Sequence, residues 1–465
     1  MKKGLNMSEI NFGTDGWRAV LNEDFTYENT DKVINAAAFY IYKESKYEKK
    51  IIIGYDPRNK AEDFALYIAQ RLSSFGFNVE LSKNIAATPV IAYSALKKEA
   101  YALILTASHN PPQYLGIKFI PPYGGPAEDY MVKEITAKLE DKFIPQREKQ
   151  GFSMVSFEED YVKHIENIID IKKIKKSGIK INYDGHHGAA AKLFKNILDK
   201  YDIPNNCLNM ERDINFGGYM PDPKEKYLPE LKSLCIENSL IGLSNDGDGD
   251  RFGVFDEKGC YISANDIIAM LLKHLVKNKN YTGKLAKTVG ASSMLDIYAA
   301  KNGIEVVETP VGFKWLGRAM RKDDIIIAGE ESGGLSIKGH IPEKDGILAN
   351  LLIMEMMSYE SEKLYEIRDE LHKEIPHDFI NDRIDLKLDS KEEQEEIINK
   401  FKNYKQISGL NIVKTNTIDG LKLYLEDSTW ILIRKSGTEP LLRIYIETDK
   451  EEKMQKLQND IRQLC

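Results

Sequence analysis

Three aspartates at alternate positions, Asp246, Asp248 and Asp250, stand in the string Asn245-Asp246-Gly247-Asp248-Gly249-Asp250-Arg251. Carboxylates separated by single glycines can converge on one hard cation, because no side chain between them obstructs the approach. An EF-hand would take Asp246, Asp248, Asp250 and Glu257 at its first, third, fifth and twelfth loop positions. Arg251 occupies the position where that loop turns on glycine, and Phe252-Gly253-Val254-Phe255 continues as a strand, so the EF-hand is rejected. Three carboxylates leave coordination positions open, which suits Mg²⁺ sharing its shell with a phosphate. An Asp/Gly surface turn without a ligand is the bland alternative.

Ser108 follows the apolar run Tyr101–Leu105 and precedes His109 and Asn110, which would expose its hydroxyl at a sheet edge. No GxSxG elbow surrounds it, so acyl transfer has weak support. Phosphoryl transfer fits better beside a metal: a phosphoserine carries about −1.5 to −2 charges, which a cation held by three aspartates would offset. A plain strand-end cap is the commoner role for such a serine, and a structural donor the commoner role for His109. Arg434, Lys435, Ser436, Gly437 and Thr438, with Arg443 nearby, supply the guanidinium, hydroxyl and backbone donors that a phosphate dianion needs; an unliganded hairpin is the alternative. Glu330, Glu331 and Ser332 lie between glycines and offer acceptors and a donor suited to polar ligands such as hexose hydroxyls. Two flanking strings, Thr309 to Lys314 and His340 to Gly346, add Lys314 and Lys344, either of which could contact phosphate or move a proton; surface solvation is the default for a lysine.

Each loop needs an element to carry it. Ile51–Ile53, a helix over 62–75 and the strand Tyr101–Leu105 precede Ser108. The strand Ile179–Tyr183, a helix over 189–198 and the strand Leu240–Leu243 precede the aspartates. The strands Ile304–Val307 and Ile325–Ile327 precede Glu330. The same design therefore recurs three times, a buried strand delivering a polar loop at its carboxyl end, where open α/β sheets bind ligands. Ordinary strand-to-helix turns remain the alternative for any one loop. After Pro376 the pattern changes: a strand over 379–388, a charged amphipathic helix over 390–401, and period-two strands over 421–425 and 429–434, with a closing helix from about Lys450, read as a separate α+β domain.

At 465 residues the chain favours about three domains at roughly 150 residues each, with two or four possible. A 42% hydrophobic and 29% charged composition excludes disordered and low-complexity classes. With 65 basic against 72 acidic residues the net charge of −7 gives no pull toward nucleic acid or membrane, so an anionic ligand has to be met by local positive groups. Cys207, Cys235, Cys260 and Cys465 form no CxxC pair, which argues against a zinc cluster or disulfide framework and fits a reducing cytoplasm. The N-terminal residues lack an apolar targeting segment, no later run reaches the ~18 apolar residues of a membrane span, and Met7 is an alternative start to Met1.

Taken together, FGTDGWRA at Phe12 to Ala19, TASHNPP, DGDGDR, GEESGG and RKSGTEP resemble the α-D-phosphohexomutase family, the phosphoglucomutases and phosphomannomutases, in order and over nearly the whole chain. The resemblance implies an α/β fold of three related α/β domains with mixed sheets plus a C-terminal α+β domain around a central cleft, with expected boundaries at 1–150, 151–258, 259–374 and 375–465. It implies that Ser108 is the phosphoserine, and that Asp246, Asp248, Asp250 and a Ser108 phosphate oxygen hold Mg²⁺. Glu330 and Ser332, with Val311 and Gly312, would bind the sugar, and Arg434, Ser436, Gly437, Thr438 and Arg443 the phosphate that is not transferred. Arg18, His109, Lys118 and Arg251 would assist near the transferred group, with Lys118 the general base and Lys344 a candidate general acid. Glucose 1,6-bisphosphate would be the activator and intermediate, a hexose phosphate the substrate, and the protein a monomer or weak dimer with no nucleic-acid or membrane partner. TPVGFKW, GEESGG and HIPEKDG resemble the glucose-directed branch. Gly334 stands where histidine is usual in other branches, with substitution by His340 left open, Leu115 stands where asparagine is common, and RKSGTEP is as close to glucosamine mutases, so mannose and glucosamine phosphates stay open. A metal-dependent serine phosphatase and a silent sugar-phosphate-binding protein are the rival functions. A hinge is expected over Glu374 to His377.

Overall fold

A computed structural model describes residues 10, 12–13, 16–44, 49–144, 148, 150–375, 378–388, 390–435 and 441–464. The first sheet orders its strands Phe12–Gly13, Gly16–Val20, Tyr114–Ile120, Tyr101–Leu105, Lys50–Tyr55, Asn78–Ser82 and Phe152–Val155. Lys50–Tyr55 runs parallel to both of its neighbours, whereas Tyr114–Ile120 runs antiparallel to Tyr101–Leu105. The second sheet orders Phe252–Phe255, Ile241–Asn245, Ile181–Asp184 and Asn205–Leu208; the third orders Val306–Thr309, Lys284–Thr288, Ile325–Glu330 and Gly334–Ile337. In both of these the inner pairs are parallel and one edge is antiparallel. The central strands Lys50–Tyr55, Tyr101–Leu105 and Ile325–Glu330 are built on buried runs of Ile, Leu and Ala, as expected where helices cover both sides.

The three chemical loops share one local architecture, and it is not the strand-to-helix turn that stood as the alternative. Each joins a central strand to an antiparallel neighbour: Tyr101–Leu105 to Tyr114–Ile120, Ile241–Asn245 to Phe252–Phe255, and Ile325–Glu330 to Gly334–Ile337. A hairpin returns the chain into the same sheet, so its loop is held at both ends.

One apolar core runs through all three units, from Ile52 and Ile104 through Tyr183 and Leu243 to Leu285 and Ile327. At its centre lies the helix Gly346–Glu360, whose string GILANLLIMEMM is apolar but for Asn350 and Glu355 and whose residues through Ser358 are buried. Such a helix is an internal strut. Its first residue must be glycine, because a Cβ at Gly346 would meet Arg251 O at 2.1 Å.

The C-terminal unit is a fully antiparallel sheet in the order Ile380–Lys387, Leu441–Thr448, Trp430–Lys435, Leu421–Leu425, Leu410–Asn416 and Gln406–Ile407. The helices Lys391–Lys402 and Glu451–Leu464 cover one face through Ile431, Ile433, Leu442, Ile444 and Ile446. Alternation turns Trp430, Leu432 and Tyr445 to the opposite face, where they pack on Val289 and Val311 of the third unit. Arg434 follows the same alternation. The fold is thus α/β, three α/β units with mixed sheets plus a C-terminal sheet-and-helix unit. Of the expected hinge, Pro376 and His377 lie outside the described residues, and among the described residues no helix is long and apolar enough to cross a membrane.

Candidate active site

Ser108 does not sit exposed at a sheet edge. Only 2% of it is exposed, because the aspartate loop of the second unit folds over it: its Oγ donates to Asp246 Oδ2 at 2.9 Å, and a Cβ on Gly247 would lie 2.8 Å from Ser108 O. Its φ is +50°, a conformation that costs a non-glycine residue of order 1–3 kcal/mol and has to be held by its surroundings. The holding groups are Thr106, whose Oγ1 accepts the Ser108 N–H at 2.8 Å, and Arg58. The buried Arg58 guanidinium donates to four carbonyls of the loop, those of Ser108 and Asn110 at 2.6 Å and of Pro111 and Tyr114 at 2.8 and 3.0 Å. Asp56 accepts the Arg58 N–H at 3.0 Å and lies 3.3 Å from its Nε. Burial pushes the Asp56 carboxyl up to about 6 against the pull of that guanidinium.

The three aspartates are fully buried, with ligand oxygens within 4.8 Å of one another. Asp248 Oδ2 accepts from Thr88 Oγ1 and from Lys118 Nζ, each at 2.7 Å; Asp250 Oδ2 accepts from Lys118 Nζ at 2.8 Å and lies 3.3 Å from Lys344 Nζ. Burial and the other two carboxylates push Asp246 far above the ordinary range. Burial opposes charge on Asp248 as well, but the Lys118 ammonium and the Thr88 hydroxyl hold it well below that range. Asp248 Oδ1 and Asp250 Oδ1 are buried acceptors without a hydrogen-bond partner among the described residues. Orphaned carboxylate oxygens facing a common centre are the donor set of a hard dication, and the trio fits Mg²⁺.

The loop that carries them is tied to all three units. Thr88 N donates to Asp248 O at 2.8 Å, Ala189 N to Gly247 O at 3.0 Å, Gly346 N to Gly249 O at 3.2 Å, and Phe252 N to Gly333 O at 2.9 Å. Arg251 lies 3.7 Å from Asp222; burial opposes its charge, but Asp222, Asp246 and Asp250 raise its pKa further. His109 Nδ1 is 3.4 Å from Ser108 Oγ. Burial and the charges of Arg251, Arg18 and Lys224 push its pKa well down. Arg18 Nη1 donates to Asn110 Oδ1 at 2.7 Å, which places it on the serine loop.

Glu330 is 5% exposed and accepts from Ser332 Oγ at 2.7 Å; burial raises its pKa, with Lys344 and Arg251 opposing. Gly334, where other branches carry histidine, makes room for lysine: a Cβ there would meet Lys344 Cδ at 2.4 Å and Cγ at 2.8 Å. His340 does not take the missing histidine's place. It bonds Asp345 Oδ2 at 2.8 Å and His164 at 3.0 Å, while Tyr161 OH reaches the same Asp345 oxygen at 2.6 Å, all behind the loop that bears Lys344. Lys314 is likewise drawn away, to Asp129 at 2.6 Å; with Arg318 and Arg321 on Glu128 it clamps the third unit to the first.

A second cluster gathers around Asp419. Its Oδ2 accepts from Arg434 Nε at 2.7 Å and from Val311 N at 2.9 Å. Gly312, with φ +118°, starts the helix Phe313–Lys322, and Arg443 pairs directly across from Arg434. Ser436, Gly437 and Thr438 lie outside the described residues, as do Thr14 and Asp15. The structure therefore brings Ser108, His109, Lys118, the three aspartates, Arg251, Glu330 and Lys344 to one centre, with Arg18 beside it. Sequence reasoning missed Arg58, Thr88, Asp222 and Asp419. Asp56-Pro57-Arg58 at the end of a buried strand carried a usable signal; Thr88 and Asp222 carried none.

Comparison with known proteins adds four matches in chain order: phosphoglucomutase/phosphomannomutase alpha/beta/alpha domain I over residues 9–144, domain II over 159–259, domain III over 263–375 and the C-terminal domain over 388–464. A phosphoglucomutase/phosphomannomutase of Thermococcus kodakarensis is 30% identical over 95% of both chains. A phosphoglucosamine mutase of Methanococcus vannielii is 32% identical over 97% of both. Among solved structures, a protein of Thermus thermophilus assigned as a phosphomannomutase superposes with a TM-score of 0.88 at 28% identity, covering 98% of this chain and 99% of the other.

Proposed function

We infer the reaction from the fact that the chain belongs to the phosphoglucomutase/phosphomannomutase family, the α-D-phosphohexomutases, and is an enzyme, an intramolecular phosphotransferase. The proposed reaction interconverts glucose 1-phosphate and glucose 6-phosphate through phosphorylated Ser108 and enzyme-bound glucose 1,6-bisphosphate. The observation that carries it is the Ser108 Oγ held 2.9 Å from Asp246 within a buried aspartate trio.

Asp246, Asp248 and Asp250, with an oxygen at Ser108, would hold Mg²⁺, which when bound would neutralise charge on the phosphoryl oxygens. Arg58 fixes the backbone from which Ser108 projects, so the oxygen that gives up and regains the phosphoryl group stays in line. In the forward step the Ser108 Oγ–P bond breaks as a sugar hydroxyl oxygen bonds to phosphorus. Lys118 is the proposed base, taking the hydroxyl proton in its neutral amine form, and Lys344, which shares Asp250 Oδ2 with it, is the proposed acid that returns a proton to the freed Ser108 oxygen. His109, Nδ1 3.4 Å from Ser108 Oγ, is proposed to orient a phosphoryl oxygen, and Arg18 and Arg251 to supply positive charge. Glu330 and Ser332, with the Val311-Gly312 backbone, are proposed to bind sugar hydroxyls, and Arg434 with Ser436, Gly437, Thr438 and Arg443 the distal phosphate. The bisphosphate then turns end for end and returns its other phosphoryl group to Ser108.

Glucose is favoured by Gly334 and Lys344, which resemble the glucose-directed branch. Glucosamine phosphate is the second reading, supported by the phosphoglucosamine mutases among the relatives. Relative kcat/KM for glucose, mannose and glucosamine 1-phosphates, measured with a bisphosphate activator, tests the choice. Highest efficiency with glucosamine 1-phosphate would refute the glucose reading, and release of free phosphate without isomer would point to a phosphatase.

A further inference from the structure

Asp419 joins two loops that lie far apart along the chain. It occupies the Asp-Gly turn ahead of Leu421–Leu425, where Gly420 has φ +81° and a Cβ would sit 2.3 Å from Ile433 O, so the turn is pressed against the strand Trp430–Lys435 that carries Arg434. A single carboxylate oxygen, Oδ2, receives both the Arg434 Nε–H at 2.7 Å and the Val311 N–H at 2.9 Å. The contact spans the seam between the C-terminal and third units. Nearby, Lys422 Nζ donates to Val289 O at 2.8 Å, Asn416 to Glu308 at 2.9 Å, and Ser293 N to Glu447 at 3.0 Å.

A guanidinium carries five N–H donors in a rigid plane. Fixing Nε sets that plane and leaves the Nη1 and Nη2 fork, which has no acceptor among the described residues, oriented as a unit. An arginine already oriented loses less side-chain freedom when it takes a phosphate bidentately. The same oxygen fixes the backbone of the Val311-Gly312 loop, so the two grips are mechanically linked. We propose that Asp419 is a positioning residue for sugar-phosphate recognition: it aligns Arg434 and ties it to the Val311 loop, so that distal phosphate and sugar are engaged together. This rests on the reading of Arg434 as a phosphate ligand.

Steady-state isomerisation of glucose 1-phosphate by the full chain tests it, with Asp419→Ala, Asp419→Asn, Arg434→Ala and the double variant Asp419→Ala/Arg434→Ala. Asp419→Ala is expected to raise KM about tenfold with kcat changed less than about threefold, the size of losing one charge-assisted hydrogen bond used in substrate binding. Asp419→Asn, which keeps an acceptor oxygen, is expected to fall between, and it carries the test should the alanine variant not fold. In the Arg434→Ala background, removing Asp419 should raise KM by about threefold or less, well below its effect in the wild type, because only the Val311 anchor is left to lose. A wild-type KM in both Asp419 variants, or a full additional effect in the double variant, overturns the inference while leaving Arg434 as a ligand. A wild-type KM in Arg434→Ala overturns the phosphate reading itself and the inference with it.

Discussion

Gly334→Ala adds one methyl group where Lys344 already lies. The new Cβ would stand 2.4 Å from Lys344 Cδ and 2.8 Å from Cγ, whereas carbons in ordinary contact are about 3.5–4.0 Å apart. The lysine stem must therefore retreat by about 1 Å or more. It has little room, since Lys344 is 4% exposed, and Glu330 Oε1 lies 3.1 Å from the same methyl position. The backbone takes alanine without strain, because only Gly333 in this turn has a positive φ. The displaced ammonium moves off Asp250, now 3.3 Å away. Misplacing a reacting group by about 1 Å costs on the order of 10²-fold in rate, and overpacking costs about 1–3 kcal/mol of stability. The expectation is a kcat lower by about 10- to 100-fold with KM changed less than about threefold. A coupled assay of glucose 6-phosphate formation reads both constants, and thermal unfolding separates the stability cost. Adding Gly334→Ala to Lys344→Met should lower kcat no further. Wild-type kcat in the single variant, or the same fold loss in the Lys344→Met background, would refute the reasoning.

Arg58→Lys keeps a charge but cannot serve four carbonyls at once, so kcat should fall by about 10²-fold or more as the Ser108 turn relaxes; a variant with unchanged kcat would show that the turn holds its shape unaided. Asp248→Asn removes a carboxylate from the trio and should shift the Mg²⁺ activation midpoint upward by about tenfold or more; an identical metal titration would take Asp248 out of the site. The third concerns pH. Burial and the neighbouring His340 hold the His164 pKa down at about 4 against an ordinary 6.5. The folded state binds fewer protons than the unfolded one in that window, so the contribution is full above pH 6.5 and lost as pH falls toward 4. His164→Phe, which can keep the stack on Tyr93, should flatten that part of the unfolding free-energy profile; superimposable profiles would contradict it.

Much of the chemistry was legible because it lies in short strings whose residue types have few other uses. Alternating Asp and Gly read directly as a cation site, and apolar strands running into polar loops placed each motif at a strand's carboxyl end. The burial of Ser108 was not legible, since the cover comes from residues 138 positions away along the chain. The return strand Phe252–Phe255 after the aspartates was legible, but those after Ser108 and Glu330 were not, since a short strand such as Gly334–Ile337 shows itself only by pairing back rather than continuing into a helix. Lys314 looked available in sequence; Asp129, 185 positions away and brought up only by tertiary packing, engages it. Asp419 looked like an ordinary turn residue until folding brought Arg434 and Val311 to one of its oxygens.

The central claim is that Ser108 carries the phosphoryl group, and peptide mass analysis after incubation with glucose 1,6-bisphosphate and Mg²⁺ tests it most directly. One phosphoryl group on Ser108, absent when Mg²⁺ is chelated and lost again on adding glucose 1-phosphate, is the predicted result. Isomerisation proceeding while Ser108 stays unmodified, or the label residing on another residue, would contradict it.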